Sequence, residues 1–312
     1  MTKILITDQT HEVLEQRLRS AGFDVSVELN HDYESLVRAS QDCEGLVVRS
    51  KVHIDKTFID RVPSLRCIGR VGAGMETIDV DYAEKHGVRC LNSPEGNRDA
   101  VGEHTVGLLL AMLNNVARAD AEVRRGLWQR EANRGYELSP LTVGVVGFGN
   151  MGRAFACRLS GFGCRLLFYD KYLDGTVAAD GVERVSLERL QQESDVVSFH
   201  VPLTEETFHY LDAGFVEAMN KPFYLVNTSR GAVVDTEALV VGLKSGKVRG
   251  AALDVLEYEN MGADALGAVP SSVQYLLQSP HTVLTPHVAG WTVESKYKLA
   301  AVLADKIINA LK

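Results

Sequence analysis

Two successive series of short β-rich runs, each separated by helical patterns, predict an α/β chain of two doubly wound parallel-sheet domains. Three observations carry that prediction: the alternation itself, a turn-rich break between the series, and a glycine motif directly behind the first strand of the second series. With 312 residues, 46% of them hydrophobic, each domain has enough apolar side chains to bury its own core.

In the first series, residues 3–6, 23–27, 45–48 and 66–68 are the strand candidates, with helical patterns over 11–21 and 33–40 among them. The run Asn92-Ser-Pro-Glu-Gly-Asn97 then breaks the pattern. Beyond it, Val101, Thr105, Leu108, Leu109, Met112 and Leu113 form a helical stripe within 99–117, a bridge into a new unit. Strands follow at 142–146, 165–169, 195–199, 223–226, 250–253 and 282–284, the six of a complete dinucleotide-binding sheet. Residues 260–278, rich in Gly, Ala and Ser, read as loosely structured. The last helical stretch, 293–311, has no strand after it, so it either covers the second sheet or crosses back to the first. A return is expected, giving a discontinuous first domain of residues 1–98 and 290–312 and a second of 99–289.

Bulk chemistry narrows the function. A formal charge of −8 argues against a nucleic-acid or anionic-membrane surface, both of which demand a dense basic face, so any phosphate site is local. No apolar run approaches the roughly 20 residues that span a bilayer. The opening Met1-Thr-Lys-Ile-Leu-Ile-Thr-Asp8 lacks the pattern of a signal peptide, so a cytoplasmic protein is expected. Cys43, Cys67, Cys90, Cys157 and Cys164 are scattered and lack ligand spacing; they read as buried thiols, with no disulfide and no metal site.

The glycine motif is Val145-Val-Gly147-Phe-Gly149-Asn-Met-Gly152-Arg153. Gly147 suits a tight turn, Gly149 a close approach to a pyrophosphate, and Gly152 tight helix–strand packing, while the helix opening at Asn150 and Met151 offers N–H donors. The next strand ends in Asp170, placed to accept hydrogen bonds from the adenosine ribose and to repel a 2′-phosphate. NAD is therefore the expected cofactor, with the adjoining Lys171 weighing against strict discrimination. His200-Val201-Pro202 ends the third strand beside the adenine half; Pro202 also reads as a plain strand terminator, and His200 as a strand-end histidine rather than a catalyst.

Hydride transfer to a 2-keto acid needs a cation for the carboxylate and a proton donor beside the developing alkoxide. Arg230, in Asn227-Thr-Ser-Arg230-Gly231, stands at the carboxyl end of a strand, where ligands bind in open α/β sheets. His287, in Leu284-Thr-Pro-His287, follows another strand, and Asp254, Glu257 and Glu259 follow the one between. A carboxylate paired with His287 would raise its pKa; spacing alone does not say which acid does so. Singly these residues read as a surface cation, a loop histidine and solvated charge, but three complementary groups at successive strand ends point to a reaction site.

These stretches resemble the D-isomer-specific 2-hydroxyacid dehydrogenases, with a closer likeness to the D-3-phosphoglycerate dehydrogenase branch. The resemblance runs nearly end to end and includes Val48-Arg-Ser50, Gly69-Arg-Val-Gly72-Ala-Gly74-Met-Glu-Thr-Ile-Asp79, Asn97-Arg-Asp-Ala-Val-Gly-Glu-His-Thr105, the glycine motif, 227–231, 254–259 and Pro286-His287. It implies a Rossmann NAD-binding domain, a discontinuous flavodoxin-like substrate domain that closes on it, and a homodimer built largely on the linking helix. The implied catalytic trio is Arg230, Glu259 and His287, with Asp254 near the nicotinamide carboxamide. Cofactor contacts are implied for Thr105, Gly147, Gly149, Asn150, Met151, Gly152, Asp170, His200, Val201, Pro202, Thr207, Thr228 and Asp254, and substrate contacts for Arg49, Ser50, Val71, Gly72, Ala73 and Gly74.

The chain departs from the family in having Asn260 where many relatives have proline and in the bulk of Trp291, and the regulatory ACT domain of some relatives is not expected. The expected reaction is oxidation of D-3-phosphoglycerate, with Arg49, and Arg130 across a dimer, as candidate phosphate cations. Hydroxypyruvate or glyoxylate reduction is the alternative. An NAD-sensing interaction protein, like the related transcriptional corepressors, is the alternative of another class, since those relatives can keep the trio.

Overall fold

The computed structural model describes residues 1–49, 51–173, 181–259 and 270–312, in two compact units, Met1–Asp99 with Trp291–Lys312, and Ala100–Gly290. In the first unit, β1 (Lys3–Ile6), β2 (Asp24–Val27), β3 (Gly45–Val48), β4 (Cys67–Arg70) and β5 (Arg89–Asn92) pair in parallel in the order β2-β1-β3-β4-β5. Alternation along β1 sends Ile4 and Ile6 to one face and Leu5 to the other. The first face packs on the helices Val13–Ser20 and Val293–Leu311 through Leu14, Leu18, Leu299, Leu303 and Ile307. Gly69 keeps the last helix close, because a Cβ there would lie 2.9 Å from Ile307 Cδ1. The second face packs on Leu36, Val37, Phe58 and Ile59.

The second unit has seven strands: β6 (Thr142–Val146), β7 (Arg165–Tyr169), β8 (Val182–Arg184), β9 (Val196–Phe199), β10 (Phe223–Asn227), β11 (Val248–Leu253) and β12 (Thr282–Leu284). Their order is β12-β11-β10-β9-β6-β7-β8, all parallel. The order reverses at β6, so the crevice past its carboxyl end is the topological switch point where such sheets bind ligands. Central β9 and β10 are wholly buried, which is why they read as continuous apolar runs.

The two sheets make this the doubly wound α/β fold expected, with four differences of detail. Strands β5 and β8 were not anticipated; both are edge strands of mixed polarity, Arg-Cys-Leu-Asn and Val-Glu-Arg, and a half-solvated edge carries little apolar signal. The linking helix ends at Leu113, and a second helix, Val116–Arg124, follows Asn115, whose φ of 54° breaks the run. Part of the stretch read as loose is the helix Ser271–Gln278, whose Val273 and Leu276 are buried. Of the cysteines, only Cys43 and Cys67 are buried; Cys157 is exposed on the outer side of its helix.

Candidate active site

The cofactor crevice is built by a short turn between β6 and the helix Asn150–Leu159. Gly147 takes φ +89°, and a Cβ there would lie 2.6 Å from the carbonyl oxygen of His200 and 2.8 Å from Val201 Cγ1. A Cβ on Gly152 would lie 2.1 Å from the Gly147 carbonyl oxygen, so the helix starts directly against the turn. By contrast, nothing lies within 4 Å of a Cβ built on Gly149, the helix N-cap, and no side chain caps that helix. This open, uncapped helix start, with Asn150 and Met151 at its mouth, fits a dinucleotide pyrophosphate.

Asp170 closes one side. Its Oδ2 accepts from Phe148 N–H at 2.8 Å and its Oδ1 from Tyr172 N–H at 2.9 Å and Leu173 N–H at 3.2 Å, so it also pins the glycine turn. Lys171 is paired with Glu206, which removes it as a free partner for a 2′-phosphate. On the other side Thr207 shapes the 202–207 turn, its hydroxyl donating to the Pro202 carbonyl oxygen at 2.6 Å. The imidazole of His200 lies inside the domain, with Nε2 2.9 Å from Ser198 Oγ and its ring beside Phe155. Burial pushes its pKa down to about 3, so it stays neutral, and what it offers the crevice is backbone.

The candidate reacting groups follow from sheet geometry: strands β10, β11 and β12 are neighbours, and parallel strands lie ~4.8 Å apart, so residues just past their ends converge.

 Asn227, fully buried at the end of β10, accepts from Ser229 N–H and Oγ and donates to the Arg230 carbonyl oxygen at 2.9 Å, which sets the turn that presents Arg230. Gly231 then lets this turn touch the next loop: a Cβ there would lie 2.1 Å from the Leu256 carbonyl oxygen. Asp254, 1% exposed, organises the loop after β12. Its carboxylate accepts from Thr285 Oγ1 at 2.6 Å, Val288 N–H at 2.9 Å and Ala289 N–H at 2.8 Å, with His104 Nε2 at 3.5 Å. Burial would raise the Asp254 pKa, but the bonds from His104, Thr285, Ala289 and Val288 outweigh it and hold the group at about 2.

His287 adopts φ +55° in that loop, and its Nδ1 lies 2.9 Å from Glu259 Oε1. With Nδ1 donating to the carboxylate, Nε2 is the nitrogen left to exchange a proton with a bound molecule. The hydrogen bond to Glu259 raises the His287 pKa; burial and the Arg230 charge oppose it, and the charges of Glu259 and Asp254 support it. Of the acids the sequence left open, Glu259 is thus the one on the imidazole. Asp254 instead has both oxygens engaged by the chain itself. Thr105 and Thr228 meet through their hydroxyls at 3.0 Å.

In the first unit, the Arg49 backbone N–H donates to Asp8 Oδ2 at 2.9 Å, and its guanidinium lies over the Trp291 ring at 5.4 Å. The Val71–Gly74 segment is fastened to the end of β5: Ser93 N–H donates to the Gly72 carbonyl oxygen at 2.9 Å and Asn92 Nδ2 to that of Ala73 at 2.6 Å. Ser50 lies outside the described residues. The sequence pattern assigns no task to Asn227, His104 or His209; a buried asparagine behind Arg230 leaves no periodic signal, and His104 meets Thr285, 181 residues away in sequence.

Fold and crevice together define the class, a dinucleotide-binding α/β protein with an acid–histidine pair at the edge of its sheet. Residues 106–289 match the model of the NAD binding domain of D-isomer specific 2-hydroxyacid dehydrogenases. The chain belongs to that family, and NAD is its cofactor. It is 34% identical to a D-3-phosphoglycerate dehydrogenase of Archaeoglobus fulgidus over 99% of this chain and 57% of that protein. It is 38% identical to a glyoxylate reductase of Thermofilum pendens over 93% of this chain and 86% of that protein. The chain thus spans little more than half the length of the phosphoglycerate relatives it matches. Among solved structures, a glyoxylate reductase from Paecilomyes thermophila superposes with a TM-score of 0.89 at 25% identity, covering 100% of this chain and 95% of that one. No helix among the described residues is long and apolar enough to cross a membrane.

Proposed function

We propose that the chain is an NAD-dependent D-2-hydroxyacid dehydrogenase that oxidises D-3-phosphoglycerate to 3-phosphohydroxypyruvate. The observation that carries the reading is the His287–Glu259 pair, 2.9 Å apart, one loop removed from Arg230 on the same sheet edge. When bound, NAD supplies the hydride acceptor for C2 of the hydroxy acid, and NADH the donor in reverse. Arg230 grips the substrate carboxylate and polarises the C2 oxygen. His287 takes the hydroxyl proton on Nε2 during oxidation, and Glu259 stabilises the imidazolium that forms; in reduction the proton returns.

Gly147, Gly149, Asn150, Met151 and Gly152 hold the pyrophosphate and Asp170 the adenosine ribose. Val201, Pro202 and Thr207 line the adenine side, while Thr105, Thr228 and Asp254 support the remainder, Asp254 chiefly by fixing the His287 loop. For the first unit, the family resemblance implies substrate contacts at Arg49 and the Val71–Gly74 backbone. The working form is a homodimer joined through the region after the linking helix, where Val116, Val123, Trp128 and Tyr136 are exposed, with Arg130 contributing across the interface.

A second reading, reduction of glyoxylate or hydroxypyruvate, is favoured by one observation: the chain is 38% identical to the glyoxylate reductase of Thermofilum pendens, against 34% to the phosphoglycerate enzyme of Archaeoglobus fulgidus. Comparison of kcat/KM for D-3-phosphoglycerate, D-glycerate and D-lactate decides between them. Equal or better use of an unphosphorylated acid rejects the phosphoglycerate reading. An absence of turnover with every 2-keto acid, despite NADH binding, rejects both in favour of a binding protein.

A further inference from the structure

The same sheet edge carries a second histidine–glutamate pair to which the proposed reaction gives no task. His209 Nε2 lies 2.7 Å from Glu257 Oε1, and the other oxygen of Glu257 accepts from Thr236 Oγ1 at 2.6 Å and Thr236 N–H at 3.2 Å. The Glu257 side chain is only 12% exposed, so it is no solvated surface charge. Burial alone would raise its pKa, yet the bonds from Thr236 and His209 hold it below the usual carboxylate range.

Three loops meet at this carboxylate. His209 N–H donates to the Ala232 carbonyl oxygen at 2.8 Å, Leu211 N–H to that of Val233 at 3.0 Å, and Asp235 N–H to that of Leu211 at 2.9 Å. The loop after β9 is therefore stitched to the loop that follows Arg230. Glu257 adds the loop after β11 to that assembly, and Gly231 lies against the Leu256–Glu257 backbone of the same loop. His209 takes φ +51° and stacks on Phe208 with ring centroids 4.0 Å apart, a conformation uncommon for a side-chain-bearing residue.

Glu259 stands two residues beyond this anchor, on the same loop. Its own backbone N–H reaches the Leu256 carbonyl oxygen at 3.2 Å, and its second carboxylate oxygen lies 3.4 Å from Leu256 N–H. Where its carboxylate sits thus depends on where residues 255–258 are held. We propose that Glu257, clamped by His209 and Thr236, is a positioning residue that fixes the loop after β11 so that Glu259 stays on Nδ1 of His287. This inference rests on the reading of Glu259 and His287 as the proton-exchanging pair.

The charged groups around the device are few enough to separate position from charge. His209 faces Glu257 and, at 4.0 Å, Asp235; Tyr258 feels Glu257, Glu237 and Asp235; His287 faces Glu259, Arg230 and Asp254. Removing the His209 imidazole while leaving the Glu257 charge in place should, on charge grounds alone, not lower the His287 pKa. Loss of the clamp should lower it, because Glu259 is then free to leave Nδ1.

The test is the imidazole NMR titration of His287 in the full chain with NADH bound, in wild type, Glu259→Gln, Glu257→Gln, His209→Ala and His209→Gln, with keto-acid turnover measured in parallel. The His287 midpoint in His209→Ala and Glu257→Gln is expected to move toward that of Glu259→Gln. His209→Gln, whose amide keeps a donor for Glu257, is expected to restore the wild-type midpoint. A wild-type midpoint in His209→Ala overturns the proposal, even if that variant is less stable. If Glu257→Gln fails to fold, the two His209 variants decide. Failure of the catalytic reading is separately visible, as a Glu259→Gln variant that turns over keto acids like wild type.

Discussion

Replacing His287 by Asn removes the proposed proton carrier and little else. Asn is among the side chains best suited to the left-handed backbone that His287 adopts at φ +55°. The loop itself is held by Asp254, through Thr285 Oγ1, Val288 N–H and Ala289 N–H, and by the His287 N–H to the Asp254 carbonyl oxygen at 2.7 Å, none of which uses the imidazole. The ion pair that is lost is partly solvated, with side-chain exposures of 50% for His287 and 30% for Glu259. Such a pair is worth about 0.2–1 kcal/mol. For a domain of this size that lowers Tm by no more than about 2–4 °C. Loss of a general acid–base group, by contrast, costs roughly 10²–10⁴ in rate. That is about 3–5 kcal/mol in the barrier. Steady-state NADH oxidation with hydroxypyruvate or glyoxylate measures kcat, and NADH fluorescence titration measures cofactor binding. The expected result is a large fall in kcat with an unchanged Kd for NADH. A kcat within tenfold of wild type, or a Kd that weakens in step with kcat, refutes the assignment.

Asp170→Ala is expected to weaken NADH binding about 10–100-fold, the worth of a lost hydrogen bond to a charged group, and to raise the relative use of NADP; unchanged selectivity would place the ribose anchor elsewhere. Because Asp170 also holds Phe148 N–H, its loss should additionally loosen the glycine turn, visible as faster amide exchange there. Gly231→Ala drives a Cβ into the Leu256 carbonyl group and should destabilise the fold by about 1–3 kcal/mol while depressing kcat; normal activity and melting would mean the two loops are not in contact. The Asp254 carboxyl is held at about 2, below its ordinary 3.8, so it contributes stability that is present above the ordinary value and lost as pH falls toward 2. By linkage the contribution is about 2 kcal/mol, and denaturant unfolding of wild type and Asp254→Asn at about pH 5 and pH 3 should show the difference between them shrinking in acid; a constant difference contradicts the assignment.

What the sequence made legible follows from the physics of each element. The buried central strands β3, β9 and β10 stand out as apolar runs, whereas the edge strands β5 and β8 carry Arg, Asn and Glu on solvated sides and do not. The glycine turn was readable because each glycine answers a steric demand: at Gly147 and Gly152 a Cβ would strike the chain itself. The candidate reacting residues were readable from their places behind consecutive strands, but the acid beside His287 was not. Asp254, Glu257 and Glu259 share one loop, and only their contacts separate them: Asp254 holds the His287 loop, Glu257 meets His209 and Thr236, and Glu259 meets the imidazole. The pairing of His209 with Glu257 spans 48 residues and leaves no trace in local pattern.

The proposed reaction requires the guanidinium of Arg230 and the imidazole of His287 to act on one substrate beside the nicotinamide. A crystal structure of the wild-type chain with NADH and an inert 2-hydroxy-acid analogue such as tartronate tests it most directly. Both Arg230 and His287 Nε2 are expected within hydrogen-bonding reach, roughly 3 Å, of the analogue, with its C2 facing C4 of the nicotinamide. An analogue seated against the cofactor but touching neither side chain would contradict it.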